Sequence, residues 1–251
     1  MAHDLVLQTS ALTKEFRGFF AVNGVDLAVR RGTIHALIGP NGAGKTTCFN
    51  LLTKFLNPTS GTILYKGEDI TRTSPSDVAR KGLVRSFQIS AVFPHLTALE
   101  NVRIALQRRR GGNFDFWRSQ SVLNAMNEKA FEMLDAVGLS DFAEMPAAEL
   151  SYGRKRALEI ATTLALDPEV MLLDEPMAGM AHEDVGRIAA LIEKVSINRT
   201  ILMVEHNLSV VANLSHIITV LARGRVLAEG DYATVSKDER VIEAYIGAGH
   251  D

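Results

Sequence analysis

Apolar positions along the chain change their rhythm twice. Through the first third they come in short runs, "LVLQTS" (5–10), "FFAVNGVDLAV" (19–29) and "TIHALIG" (33–39), punctuated by Gly24 and Gly32. Strand-like content between glycines predicts β-strands. A helix is predicted from about Lys45 to Lys54, a turn at "NPTSG" (57–61) and a short strand at "GTILYKG" (61–67). In the middle the spacing turns helical. "SPSDVARKG" (74–82) opens with a cap and a proline and closes with glycine, which predicts a short helix. "TALENVRIALQRRR" (97–110) reads as a second helix, "GGNFDFWRSQ" (111–120) interrupts, and a long helix runs from about Ser121 to Val137. From Val170 the short buried runs return: "VMLLDEP" (170–176), a helix over 183–196, "TILMVEH" (200–206), and two strands around Arg223-Gly224 within 215–230. Short apolar strands followed by helices predict an α/β fold with a mostly parallel, covered sheet and an N-terminal antiparallel β region. The mostly helical stretch 89–149 inserts as a second lobe into a core formed by 1–88 and 150–251.

The segment "ELSYGRKRALEIATTLAL" (149–166) breaks a local rule. Ala157, Leu158, Ile160, Ala161 and Leu164 have helical spacing, Ser151 is a good N-cap and Gly153 keeps the first turn open. Arg154, Lys155 and Arg156 then crowd the positive end of the helix dipole, where acidic residues are favoured. An arriving anion would offset them.

Composition narrows the function classes. With 251 residues and 47% hydrophobic content the chain can bury a sizeable core. A net charge of −2 gives no global pull toward nucleic acid or an anionic membrane. The sole cysteine, Cys48, excludes an intrachain disulfide, and a reducing compartment fits. The opening "MAHDLVLQTS" has no leader pattern, and the longest apolar runs, "VMLL" and "IITVLA", are too short to span a bilayer. A membrane role would come through a partner.

Two motifs carry chemistry. "IGPNGAGKTT" (38–47) fits the P-loop pattern and stands between an apolar strand and a helix, the context that supports it. Its residues Gly39, Pro40, Asn41, Gly42, Ala43, Gly44, Lys45, Thr46 and Thr47 form the candidate cradle for ATP. Glycines let backbone N–H groups curl around an anion. Lys45 would reach the β- and γ-phosphates, and Thr46 would ligate Mg²⁺. At the end of "VMLLDEP", Asp174 is suited to hold Mg²⁺ through its water shell, and Glu175 to act on the attacking water.

Taken in order, "GPNGAGKTT", "LVRSFQ", "LSYGRKR", "VMLLDEP" and "MVEH" resemble the ATP-binding subunits of ABC transporters, from about Leu5 to Gly247. The resemblance implies a P-loop NTPase (RecA-like) core of the ABC ATPase type. It implies a head-to-tail dimer with ATP between the P-loop of one subunit and the signature helix of the other. Ser151, the Gly153 backbone and the helix start would then receive the γ-phosphate. Gln88 looks like the residue that touches Mg²⁺ and links core to helical lobe. His206 looks like the switch histidine that senses the γ-phosphate. Phe16 looks like the aromatic that stacks on adenine, with Phe19 and Phe20 as neighbours and a core role equally open. Two segments depart from the family pattern. Tyr152 and Arg154 stand where glycine and glutamine are usual, and Ala178-Gly179-Met180-Ala181 replaces the aspartate-bearing loop. The Tyr152 ring would have to point away from the nucleotide. Cys48, just after Thr46-Thr47, reads as a small filler, though alkylation there would hinder ATP binding.

"SFQISAVFPHLTALENV", "LSYGRKRALEIA", "PMAGMAHED" and "VIEAYIG" look like the larger ATPase of branched-chain amino acid uptake systems. That likeness implies a second ATPase subunit, identical or similar, transmembrane permease subunits, an extracytoplasmic binding protein, no nucleic acid, and a place on the cytoplasmic face of the cell membrane. Short ATPases for lipopolysaccharide export and for urea or amide uptake share parts of the pattern. The 108–120 segment, with Phe114, Phe116 and Trp117, reads either as a surface near lipid or permease or as a loop tucked on the helical lobe. A soluble ABC ATPase acting on nucleic acid would need a coiled-coil insertion or a second ATPase half. A P-loop kinase or GTPase leaves the 151–164 helix and His206 without a role.

Overall fold

The computed structural model describes residues 4–86, 92–109 and 120–247. Gln88 and residues 110–119 lie outside them. The chain opens with β1 (Leu5–Phe16), β2 (Phe19–Arg30), β3 (Ile34–Ile38), α1 (Lys45–Leu52), β4 (Ser60–Tyr65) and β5 (Glu68–Asp69). It continues through α2 (Pro75–Arg80), β6 (Leu83–Ser86), α3 (Ala98–Arg109), α4 (Gln120–Ala136) and α5 (Tyr152–Leu164). It closes with β7 (Val170–Asp174), α6 (His182–Ser196), β8 (Thr200–Val204), α7 (Leu208–Leu214), β9 (Ile217–Ala222), β10 (Arg225–Gly230), α8 (Tyr232–Val235) and α9 (Glu239–Gly247).

Two sheets result. One is antiparallel, in the order β2-β1-β4-β5. The other runs β10-β9-β3-β8-β7-β6, parallel except for the β9–β10 hairpin. The expected architecture is therefore present, and Arg223-Gly224 turns the hairpin with φ of 50° and 76°. β3, β7 and β8 are buried at all five positions. Side chains alternate across a strand, so each of these strands serves two cores. Ile34, Ala36, Ile38, Met171, Leu173, Ile201 and Met203 join the core shared with the helices. Leu37, Leu172, Leu202 and Val204 face the core under the antiparallel sheet, with Phe49 of α1.

The helical elements are fixed at their starts. Ser74 caps α2 by accepting from the Asp77 amide, with Pro75 in the first turn. Thr97 and Glu100 form a reciprocal box at α3: the Thr97 hydroxyl accepts from the Glu100 amide at 3.1 Å, and the Glu100 carboxylate accepts from the Thr97 amide at 2.9 Å. α3, α4 and α5 pack on one another, and their apolar core runs without a break into that of the parallel sheet. β6, α7, α8 and α9 were not foreseen from the sequence.

In the parallel sheet β8 lies between β3 and β7. The carboxyl ends of these strands therefore bring together residues 39–44, 174–175 and 205–206. Such an edge is where open α/β sheets bind ligands.

One buried polar chain crosses the sheet. His35 of β3 is fully buried, with Nε2 2.8 Å from the Thr219 hydroxyl, which donates to the Glu229 carboxylate at 2.6 Å. The Thr219 proton is thus committed, so the His35 Nε2–H donates and Nδ1 carries no proton. Burial pushes the His35 pKa down to about 4. Below an unfolded value of 6.5 the unfolded chain takes up a proton that the folded chain refuses, so stability falls with pH. The expected loss between pH 6.5 and 4 is about 3 kcal/mol. Urea unfolding of the parent and of His35→Gln at pH 7 and pH 4.5 checks this. The variant should lose less stability on acidification, and equal losses would show that His35 titrates normally.

Candidate nucleotide-binding and hydrolysis site

Close backbone approach builds the P-loop. A Cβ on Gly39 (φ 149°) would lie 2.1 Å from the Leu221 carbonyl oxygen, and one on Gly44 (φ 103°) 2.3 Å from that of Ala21. Only glycine fits either position. The β9–β10 turn clasps the loop from outside: the Gly224 amide donates to the Ala43 carbonyl at 3.0 Å, and the Asn23 amide donates to the Gly224 carbonyl at 2.7 Å. α1 begins at Gly44 with no side-chain cap and no acidic residue in its first turn. Its first amides have no acceptor within the helix, which suits an anion. Lys45 is buried, and its ammonium donates to the carbonyls of Gly39 (2.6 Å) and Pro40 (3.0 Å). An ammonium has three donors, so one remains for a phosphate. Burial lowers the Lys45 pKa, and the charges of Glu175 and Asp174 oppose that shift.

Opposite the loop, Asp174 is buried at the end of β7 and its Oδ2 pairs with Arg85 of β6. Arg85 also donates to the Asn50 side chain of α1 at 2.5 Å, joining the aspartate strand to the P-loop helix. Glu175 is half-buried and has a φ of 45°, in the left-handed region that non-glycine residues rarely adopt. Its amide donates to the Val204 carbonyl at 2.9 Å. His206 is exposed, while Glu205 beside it is fully buried. The Glu205 carboxylate accepts from the amides of Met177 (2.9 Å), His206 (3.0 Å) and Asn207 (3.3 Å).

The start of α5 departs from the reading of its charges. Ser151 occupies the N-cap position, but its side chain makes no capping hydrogen bond. The three basic residues already have partners. The Arg154 guanidinium stacks 3.8 Å from the centre of the Phe142 ring, and Lys155 donates to the Ala148 carbonyl at 2.8 Å. Arg156 turns inward, pairs with Glu159 and donates to the carbonyls of Asp174 (2.9 Å) and Pro176 (3.2 Å). Only Arg156 meets an opposite charge inside the chain, so Arg154 and Lys155 keep theirs at the helix start. Gly153 is buried against the Asp184 carboxylate of α6. The Tyr152 hydroxyl donates to the Ala178 carbonyl at 2.8 Å, as a ring turned toward the loop after Glu175 must.

Phe16 pairs with Phe19 across the β1–β2 hairpin and is 44% exposed, with the Lys14 ammonium 5.1 Å from the centre of its ring. The same hairpin runs past the P-loop through Ala21, so the aromatic cluster stands beside the phosphate cradle. Thr46 is exposed in the first turn of α1 and Thr47 is half-buried next to it. Among the described residues no group of three or more His, Cys, Asp or Glu could cage a metal. Mg²⁺ needs no such cage when phosphates supply most of its ligands, and Thr46 with Asp174 fits that use. Sequence reasoning missed Arg85 and Glu205 and read Arg156 only as part of the charge at the helix start. A single arginine inside the apolar strand "LVRS" and a glutamate closing "TILMV" were the available signals, since a charge in a buried strand needs a partner.

Comparison with known proteins agrees with this geometry. Residues 22–178 match the model of the ABC transporter family, and residues 225–251 match that of the branched-chain amino acid ATP-binding cassette transporters. The chain is 40% identical to the high-affinity branched-chain amino acid transport ATP-binding protein BraF of Pseudomonas aeruginosa, covering 96% of this chain and 98% of that one. It is 37% identical, with the same coverages, to LivG of Escherichia coli, which carries the same description. The ADP conformation of an ATP-binding cassette of an ABC transporter superposes with a TM-score of 0.84 at 31% identity, over 97% of this chain and 99% of that one. The dimeric structure of a bacterial ABC transporter cassette gives 0.77 at 25% identity, over 90% and 98%.

Cys48 is fully buried on α1, and burial pushes its thiol up to about 12. That burial fits the reading of Cys48 as a small filler, and alkylation in the folded chain is not expected, because neither access nor thiolate is available. A maleimide should leave the native protein unlabelled over an hour at pH 7 and label it once after denaturation, as intact mass reports. Rapid labelling of the native chain would contradict the burial.

Proposed function

This chain belongs to the ABC transporter family of ATP-binding subunits, and we propose that it is the ATP-hydrolysing motor of an importer for branched-chain or related amino acids. The chain is an ATPase. The observation that carries the reading is the convergence of Lys45, the Asp174-Glu175 pair and the Glu205-His206 pair at the carboxyl ends of three adjacent parallel strands. The match of residues 225–251 to the branched-chain amino acid group favours that cargo over lipopolysaccharide, urea or amides.

The chemistry divides among named side chains. The residue 39–44 loop and the first amides of α1 hold the phosphates, and Lys45 offsets their charge. Thr46 and Asp174 would hold Mg²⁺, with Gln88 as a further ligand; the ion neutralises charge on the transferred phosphoryl group. Glu175 takes the proton of the attacking water, and His206 orients that water against the γ-phosphate. Phe16 stacks on the adenine.

A second subunit completes the site. The Ser151 hydroxyl, free of any capping bond, and the Gly153 backbone receive the γ-phosphate carried on the P-loop of the partner. The partner is a second ATPase subunit, identical or similar. The stretch 89–149 serves as the lobe that meets transmembrane permease subunits, which in turn work with an extracytoplasmic binding protein. Among the described residues no helix is long and apolar enough to cross a membrane. Attachment to the cytoplasmic face through the permeases accounts for a membrane role without one.

Glu175→Gln should bind ATP like the parent and lose about 10²- to 10⁴-fold in turnover, the range of a lost general base. It should also accumulate as an ATP-trapped dimer by light scattering. Hydrolysis at the parental rate would take Glu175 out of the chemistry.

A further inference from the structure

Glu175 is held in a backbone conformation that a non-glycine residue leaves unless its neighbours forbid it. What forbids it is a set of bonds to residues on both sides. Arg156 fixes the carbonyls of Asp174 and Pro176, and Glu205 fixes the amide of Met177. The last tie is the Tyr152 hydroxyl on the carbonyl of Ala178. The Ala178 amide in turn donates back to the Glu175 carbonyl at 3.1 Å, closing a turn whose first residue is Glu175 itself. The Tyr152 oxygen also stands 3.4 Å from where a Cβ on Gly179 would be, so the ring is seated against the turn.

These ties differ in kind. Arg156 and Glu205 are buried charges, and removing either leaves its partners without a bond in the interior, which destabilises the whole fold. Tyr152 is 42% exposed. Its hydroxyl hydrogen-bonds, among the described residues, to the far end of the turn that begins at Glu175. We propose that Tyr152 is a positioning residue for Glu175, holding the 175–178 turn, and with it the carboxylate, in its working orientation through the Ala178 carbonyl. This rests on the reading of Glu175 given above. The residue is distinctive because the hydroxyl acts within one chain, from the first turn of α5 to the turn after β7.

The test is Tyr152→Phe, which removes one O–H donor and keeps the ring, in the parental chain and in the Glu175→Gln background. Steady-state hydrolysis of Mg²⁺-ATP by the purified full-length chain is the readout. Loss of one hydrogen bond should lower kcat about 2- to 10-fold, with KM for ATP within about twofold of the parent. In the Glu175→Gln background the same substitution should cost nothing further, because Tyr152 acts through the missing carboxylate. A parental kcat, a change confined to KM, or an equal loss in both backgrounds would overturn the proposal. The two readings separate cleanly. A fully active Glu175→Gln rejects both, whereas an inactive Glu175→Gln beside an unaffected Tyr152→Phe rejects the positioning role alone.

Discussion

The Leu221 carbonyl, the Ala21 carbonyl and Gly224 crowd the P-loop so closely that Gly39 and Gly44 have no room for a side chain. Each of these contacts comes from a different part of the fold. Leu221 lies on β9 of the parallel sheet, Ala21 on β2 of the antiparallel sheet, and Gly224 in the hairpin turn that closes the parallel sheet. The phosphate cradle is therefore a local sequence motif with a non-local scaffold. It exists only where both sheets have been brought to the same edge, and the two cores on either face of β3, β7 and β8 bring them there.

Around that cradle four buried charges are each held by partners. Asp174 has Arg85, Arg156 has Glu159 and two carbonyls, Glu205 has three amides and Lys45 has two carbonyls. Burying a charge costs much less when it is paired or hydrogen-bonded, and three of these residues also join separate elements. Arg85 connects β6, β7 and α1. Arg156 connects α5 to the end of β7. Glu205 connects the end of β8 to the turn after β7. The groups suited to chemistry, Glu175 and His206, are the neighbours of these anchored residues rather than the anchored residues themselves.

Much of this was legible in the sequence, for reasons that differ by residue. The P-loop and the Asp174-Glu175 pair depend on the backbone of a few consecutive residues, so a short motif at a strand end suffices to find them. The alternation of short apolar runs with helices gave the layered α/β architecture because β3, β7 and β8 are buried on both faces. Reasoning from the helix dipole did not reveal the partners of Arg154, Lys155 and Arg156. Their partners sit at Phe142, Ala148 and the 174–176 carbonyls, and only tertiary packing brings those within reach. β6 was hidden by Arg85, a charge that breaks the apolar run and is tolerated because Asp174 lies beside it. α7 and α8 are one or two turns long, and their caps at Asn207 and Asp231 lack the apolar period that makes longer helices visible.

The burial of Cys48 has a practical side. Its thiol fills a fully enclosed position among Phe49, Leu51 and Leu52 of the core beneath the antiparallel sheet. The natural sequence is thus already a clean background for site-specific spectroscopy. A single cysteine placed on the surface of the signature helix or the β1–β2 hairpin can carry a spin label or a fluorophore without removal of the native thiol. Distances across the subunit pair can then be followed in a chain whose core is unaltered.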